Sequence, residues 1–266
     1  MKITVIQPAY FAGENPDEKI AKYLFEQVER ADDNSLIVLP EYSNAGGLSD
    51  KEKELLALSR AQEMLEKASL LAKKKNSYIA INVLEKRNGK IRNSTYLFDK
   101  KGENRFVYDK IHLPPSEIDL GVESGDGQCF CQVDGIRFGF MTCYDAYYNE
   151  QIEYLAMQKS DVILIPGYQR GERTDIIRAQ NKMTAFRCNS FIARASYSMD
   201  DDNRGGCSMI VAPDGTILKD IGKGVGSISL EVNEKEKYMR TAGFGGGIVR
   251  NDEFINNGLR KDLFNK

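Results

Sequence analysis

An apolar run, IRFGFMT, ends abruptly in Cys143, and Tyr144 and Asp145 follow at once. Two other apolar runs end in reactive side chains: SLIVLPE at Glu41 and FVYDK at Lys110. A thiol, a carboxylate and an ammonium make chemical sense together. The thiolate is the reactive form of cysteine; a nearby cation favours it, and a carboxylate can accept its proton. The ammonium can then stabilise the oxyanion that forms when sulfur attacks a carbonyl or nitrile carbon. Ligands of open α/β sheets bind at the carboxyl ends of strands, which makes residues placed there the first candidates. Each residue also has an ordinary reading. Free cysteine is among the most buried residue types, Glu41 can cap or pair, and Lys110 can be a solvated lysine.

Composition narrows the chemistry. The 266 residues carry 37 basic and 39 acidic side chains, a net charge of −2, so no field of one sign favours nucleic acid or an anionic membrane. The five cysteines, at 129, 131, 143, 188 and 207, fit neither a disulfide framework nor a zinc site. Cys129 and Cys131 share a strand face, with nothing nearby to complete a metal set. His112 is the single histidine, which removes most histidine-based metal sites and leaves any Ser-His-Asp triad depending on one residue. No metal and no cofactor are expected. The opening MKITVIQPAYF alternates like a strand and lacks the features of a signal peptide. No apolar stretch approaches the ~20 residues that span a bilayer. A cytoplasmic protein with no nucleic-acid or membrane partner is expected.

Buried strands alternate with amphipathic helices. Strands are expected over 2–10, 35–43, 106–114, 161–167, 190–198 and 227–232. Helices are expected over 16–31, 49–75, 147–159 and 173–188, with a short one near 234–240. Hairpins turn at Asn88-Gly89, Asp134-Gly135 and Pro213-Asp214-Gly215. Residues 115–127 read as a loop and the Gly-rich tail TAGFGGGIVRNDEF as non-helical. The pattern is that of an α/β protein with mixed sheets.

LPEYSNAGG around Glu41, YDKIHL around Lys110 and FGFMTCYD around Cys143 resemble the three signature segments of the nitrilase-like carbon–nitrogen hydrolases, in that family's order. The resemblance extends from residue 2 to about residue 232. It implies a four-layer αββα sandwich with two mixed β-sheets, a single domain over 1–266, and a tail, 241–266, in the contacts of a homodimer or higher homo-oligomer. It implies that Cys143 attacks the carbon of an amide, carbamoyl or nitrile group. Glu41 would carry the proton, and Lys110 with the backbone N–H of Tyr144 would hold the oxyanion. Water would then hydrolyse a thioester, with no metal. Many relatives carry a second glutamate between the lysine and the cysteine. Glu117 and Glu123 both stand there, and the 26-residue spacing to Cys143 favours Glu117. His112, in a K-x-H pattern, is expected to orient the loop.

The sequence also departs from the family. Ala146 and Tyr147 stand where many relatives have arginines that hold a substrate carboxylate, and Asn149 replaces a proline. Tyr144 and Tyr147 become candidate substrate contacts, although Tyr147 and Tyr148 can equally be the buried face of the next helix. Arg170 or Arg173, in GYQRGERTD after a strand end, could supply the missing carboxylate contact. In the relatives' RAxEN segment Cys188 replaces the glutamate, a change without a functional account. Asp200, Asp201 and Asp202 lack calcium-site spacing and read as a surface loop. The leading reading is a hydrolase of small linear amides or carbamoyl compounds. A nitrilase, a non-catalytic protein of the same fold and a thiol redox protein are the alternatives.

Overall fold

In the strand Lys2–Gln7 (β1), successive side chains part company: Ile3 and Val5 enter one core and Ile6 another. Ser35–Val38 (β2) and Tyr78–Arg87 (β3) repeat the division, with Leu36, Val38, Tyr78 and Ala80 on one side and Ile37, Ile79 and Ile81 on the other. Period-two alternation between two apolar faces marks a sheet covered on both sides. The computed structural model describes residues 1–11, 14–48 and 51–260.

The outer cover of this first sheet is helical. Pro16–Arg30 (α1) starts with Pro16 and the acidic Asp17 and Glu18, which suit a helix N-terminus, and buries Ile20, Leu24, Phe25 and Val28. Lys51–Ala57 (α2) leads through a 3₁₀ turn over 58–60 into Ala61–Lys74 (α3). The single helix expected over 49–75 is therefore two. Ser59 donates its hydroxyl to the Leu56 carbonyl, the kind of local side-chain bond that competes with the helix ladder. Residues 49 and 50 of that expectation lie outside the described residues.

Lys90–Phe98 (β4) and Asn104–Asp109 (β5) complete this side of the sheet, and Pro115–Leu120 (α4) follows. The stretch read as a loop over 115–127 thus contains a helix, opened by Pro115 at its first position. Phe130–Val133 (β6), Ile136–Phe140 (β7), Asn149–Gln158 (α5), Val162–Pro166 (β8), Thr174–Cys188 (α6), Phe191–Ala195 (β9), Met209–Val211 (β10) and Ile217–Asp220 (β11) form the second half. Gly226–Glu231 (β12) returns to pair with β1. Met239–Thr241 (β13) and Ile248–Arg250 (β14) make a small ribbon before Asn251–Asn257 (α7). The helix expected near 234–240 is a turn, because Asn233 takes the amides of Lys235 and Glu236 onto its own side-chain and backbone oxygens. The tail is non-helical through its glycines, but α7 begins at Asn251.

The two sheets run in the order β12-β1-β2-β3-β4-β5 and β11-β10-β9-β8-β7-β6. Both mix parallel and antiparallel pairs. They pack face to face over Ile3, Val38, Phe138, Phe140 and Leu164, with α1 and α3 outside one and α5 and α6 outside the other. This is the expected αββα sandwich. Because β2, β5 and β7 each end toward the same edge, the segments after them meet there.

Gly125 illustrates how tightly that edge is built. Its N–H donates to the Lys110 carbonyl at 2.9 Å, and a Cβ there would lie 2.2 Å from the Asp109 backbone oxygen. Gly125→Ala must push the backbone away from Lys110. The expected cost is about 1–3 kcal/mol, read as a melting temperature at least ~2 °C lower. An unchanged melting curve would show that the backbone yields freely.

Candidate active site

The edge assembles three charged groups that hardly touch water: Glu41 is 1 %, Lys110 2 % and Glu117 3 % exposed. Lys110 Nζ lies 2.8 Å from Glu41 Oε1 and 3.0 Å from Glu117 Oε1. Asn93, inside β4, donates its amide to the same two oxygens, at 2.8 Å and 2.7 Å. The Tyr42 hydroxyl adds a third donor to Glu117 at 2.7 Å. Asn93 is itself fixed by Asn82 of β3, whose amide donates to Asn93 Oδ1 at 2.7 Å while its oxygen accepts the Tyr42 N–H at 2.8 Å. Two asparagines thus bridge the strands between the one that leads to Glu41 and the one that leads to Lys110. Tyr42 adopts a left-handed backbone (φ 55°), which turns the chain sharply after Glu41.

The chain after β7 supplies the thiol. Cys143 is also left-handed (φ 48°) and opens a 3₁₀ turn, Cys143–Tyr147. Asp145, fully buried, anchors this bend. Its carboxylate accepts the Thr142 N–H at 2.7 Å, the Tyr108 hydroxyl at 2.5 Å and the His112 N–H at 2.9 Å, and it meets His112 Nδ1 at 2.9 Å. One carboxylate therefore ties the bend holding Cys143 to the loop leaving Lys110. On its other side His112 Nε2 meets Glu150 at 3.1 Å, and the ring stacks on Tyr148 at 3.8 Å. Hydrogen bonding to Asp145, against partial burial, raises the His112 pKa.

The electrostatics follow from burial. Desolvation raises the Glu41 pKa and the Glu117 charge adds to it, while Lys110 opposes both. Lys110 is held charged: burial works against the ammonium, but Glu41, Cys143 and Glu117 outweigh it. The Cys143 thiol is pushed well above its ordinary value by burial and by the Glu41 charge, against Lys110 and the Tyr168 N–H. The resting sulfur is therefore a thiol beside a carboxylate. Glu41 Oε1 is fully engaged, whereas Oε2 accepts no hydrogen bond among the described residues.

Glu41, Lys110, Glu117 and Cys143 form the floor of a cleft of ≈ 460 Å³, walled by Tyr42 and Tyr168, with the exposed Lys51, Asp119 and Arg170 at its mouth. That volume suits a small molecule. Among the described residues no cluster of His, Cys, Asp or Glu could hold a metal ion.

Of the two glutamates left open by the sequence, Glu117 enters the cleft and Glu123 does not. Glu123 is solvated and paired with Lys90 at 2.9 Å. Tyr144 and Tyr147 stand outside the cleft walls; the Tyr144 ring packs edgewise on Tyr148 and tilted against Tyr147, and the Tyr147 hydroxyl bonds Glu172. Nor are Tyr147 and Tyr148 a buried helix face, since Tyr147 is 44 % exposed and both precede α5. Arg173 pairs with Asp175, whereas Arg170 reaches the cleft. Cys188 is buried and donates to the Ile152 carbonyl. Asp201 and Asp202 pair with Arg204 and Lys223 on the surface. Tyr42, Asn82, Asn93 and Asp145 are the residues that sequence reasoning misses. Their signals were a polar side chain inside each of two buried strands and an acid two residues beyond the cysteine.

Residues 2–233 match the family model described as carbon-nitrogen hydrolase. The chain is 26% identical over 262 residues to a 2-oxoglutaramate amidase of Bacillus subtilis, covering 94% of each. It is 27% identical over 234 residues to an (R)-stereoselective amidase of Pseudomonas, covering 84% of this chain and 81% of that one. Among solved structures, a cysteine-to-serine variant of the Nesterenkonia amidase from the nitrilase superfamily superposes with a TM-score of 0.78 at 15% identity, over 100% of this chain and 96% of that one. With three reactive strand ends brought to one cleft, and a family match over nearly the whole chain, the protein belongs to the carbon–nitrogen hydrolases.

Proposed function

We propose that the protein is an amidase that cleaves a small linear amide through a thioester on Cys143. The observation that carries this reading is the half-buried Cys143 thiol in one cleft with Glu41, whose Oε1 is locked to Lys110. The amidase names of the relatives support the bond type.

The geometry suits the following course. As Cys143 Sγ bonds to the amide carbon, its proton passes to Glu41, because the resting thiol is neutral. The carbonyl oxygen becomes an oxyanion beside the Lys110 ammonium and the Tyr144 N–H, one of the first-turn amides that a helix leaves without a partner. Collapse breaks the C–N bond, and Glu41 returns its proton to the leaving nitrogen, which departs as ammonia. Water then attacks the thioester carbon and gives a proton to Glu41. The C–S bond breaks, the acid is released, and the proton returns to sulfur. Glu117 keeps Lys110 placed and charged. Asp145 holds the Cys143 bend against the Lys110 loop and is a positioning residue.

A homodimer belongs to the same reading. Met157, Met183, Ile248 and Phe254 are exposed on α5, α6, β14 and α7, an apolar face that a second copy would cover. Of the tail expected there, residues 261–266 lie outside the described residues. No described helix is long and apolar enough to cross a membrane, and a cytoplasmic location remains part of the proposal.

Ammonia release from amides, N-carbamoyl amino acids and nitriles is the direct test. Amides should turn over, and Cys143→Ala should abolish turnover while keeping the fold. Turnover that survives in Cys143→Ala sinks the reading. The raised Glu41 pKa fixes a sign: the folded site keeps this proton to higher pH than a free glutamate does. On acidification the base form is lost early, so the acid limb of kcat/KM should lie above 4.5, the ordinary value. A limb at or below that value would remove Glu41 as the base. Asp145→Asn should cost about 2–4 kcal/mol, since buried donors lose an acceptor. It should also lower kcat about a hundredfold by misplacing the sulfur. Loss of stability with kcat intact would make Asp145 purely structural.

A further inference from the structure

We propose that Arg194 is a positioning residue for Cys143: from inside β9 it fastens the segment after β8 that keeps the Tyr168 N–H on the sulfur, and it sets a buried positive charge behind that sulfur. This rests on the reading of Cys143 as the nucleophile. Arginine is almost never fully buried without an opposite charge, because an uncompensated buried ion is costly. Arg194 is fully buried in the middle of β9, and among the described residues no carboxylate pairs with it. Asp220, the acid whose field reaches it, is held by Arg178 at 2.7 Å. Burial lowers the Arg194 pKa, and a guanidinium keeps its proton even so. The charge is held by dipoles instead. Nη1 donates to the Gly206 and Cys207 carbonyls at 2.6 Å and 2.8 Å, and Nη2 to Gln169 Oε1 at 3.2 Å, while Nε has no partner among the described residues. Gly205, Gly206 and Cys207 are all left-handed (φ 63°, 58° and 58°), a bend that is strained at Cys207 and that presents two successive carbonyls to the guanidinium.

Two routes run from this clamp to the sulfur. Gly167 lies against the guanidinium, where a Cβ would come within 3.2 Å of Nη2, and its N–H donates to the Ala195 carbonyl at 2.8 Å. Gln169 accepts from Nη2. Tyr168 stands between these two anchored neighbours, with its N–H on the Cys143 sulfur and its hydroxyl accepting the Gly47 N–H at 2.9 Å. The second route is through Gln169 itself. Its amide donates to Gln180 of α6 at 3.1 Å and also reaches the Tyr147 hydroxyl, in the same 3₁₀ turn as Cys143. The charges that face the sulfur are therefore Glu41 and Lys110 from the first sheet and Arg194 from the second; Tyr147, pushed up to about 12, is neutral. Lys110 is shared by two carboxylates. Arg194 is shared by none, so its charge is available to the sulfur as the thiol proton leaves.

The test reads the sulfur directly. Alkylation of Cys143 by iodoacetamide is followed across pH on the full-length protein, with the Cys143 peptide quantified by mass spectrometry, alongside turnover of propionamide. Arg194→Met removes the charge and the donors from a chain of similar length. The thiol then gives up its proton less readily, so the rate–pH profile should move to higher pH and alkylation near neutrality should slow about tenfold, the equivalent of one pH unit. For propionamide kcat should fall by about the same factor, with KM within about twofold. Arg194→Lys should restore most of the alkylation profile and only part of kcat. Gln169→Leu keeps the charge but releases the Tyr168 segment, and should slow alkylation about threefold or more. A wild-type alkylation profile in Arg194→Met, with only the melting temperature changed, overturns the assignment and leaves Arg194 a structural residue. Should Arg194→Met not fold, a wild-type profile in Gln169→Leu overturns it instead. Propionamide turnover that survives in Cys143→Ala sinks the amidase reading, whereas the alkylation comparison needs no turnover and judges Arg194 by itself.

Discussion

A lysine ammonium sealed between two carboxylates sets the terms for the rest of the molecule. Taking three ionisable groups out of water costs several kcal/mol each, and their attraction repays this only with near-perfect geometry and further hydrogen bonds. Asn93 and Tyr42 supply those bonds to Glu41 and Glu117. Lys110, facing two acids, keeps its charge. Glu41, facing burial and a second acid, is the group whose proton affinity rises. One member of the cluster is thereby left able to exchange a proton, and it is the one beside the sulfur.

The labour is divided between the sheets. The first carries Glu41 and Lys110 on the ends of β2 and β5 and Glu117 on α4. The second carries Cys143 on the end of β7. The division is bridged by Asp145, which belongs to the cysteine's bend but binds His112 and Tyr108 from the other sheet's side. Tyr197 makes a second tie, leaving β9 to donate its hydroxyl to the Glu41 carbonyl at 2.8 Å.

Much of this was legible in the sequence because local patterns carried it. Continuous apolar runs and an alternating N-terminus gave the strands, Asn-Gly and Asp-Gly gave the hairpins, and the three reactive residues stood at the ends of apolar runs. What escaped was non-local. Nothing in NSTYLF announces that Asn93 joins two glutamates from elsewhere in the chain, since that depends on which strands become neighbours. Helix α4 escaped because six residues hold too few turns to show a period. The choice between Glu117 and Glu123 turned on that same helix: its turn faces Glu117 inward, and the chain beyond it leaves Glu123 in solvent. The helix expected near 234–240 failed for the opposite reason: a charged stretch suited to a helix has a local asparagine that closes a turn first.

The return of β12 to the edge of β1 has a consequence for how the protein is made. These strands are joined residue by residue, Lys2 to Glu231 and Gln7 to Gly226, so the first strand stays an open edge until the other strands of both sheets have been synthesised. Gln7 tightens the dependence: its amide grips the carbonyls of Gly222 and Gly224, and its oxygen accepts from Ser208 in the other sheet. A chain truncated before Ser208 lacks both the closing strand and the partners of Gln7. The ribosome therefore releases the closing strand after every other strand of the two sheets, and a half-made chain keeps its β1 edge unpaired and the two layers unclasped at Gln7.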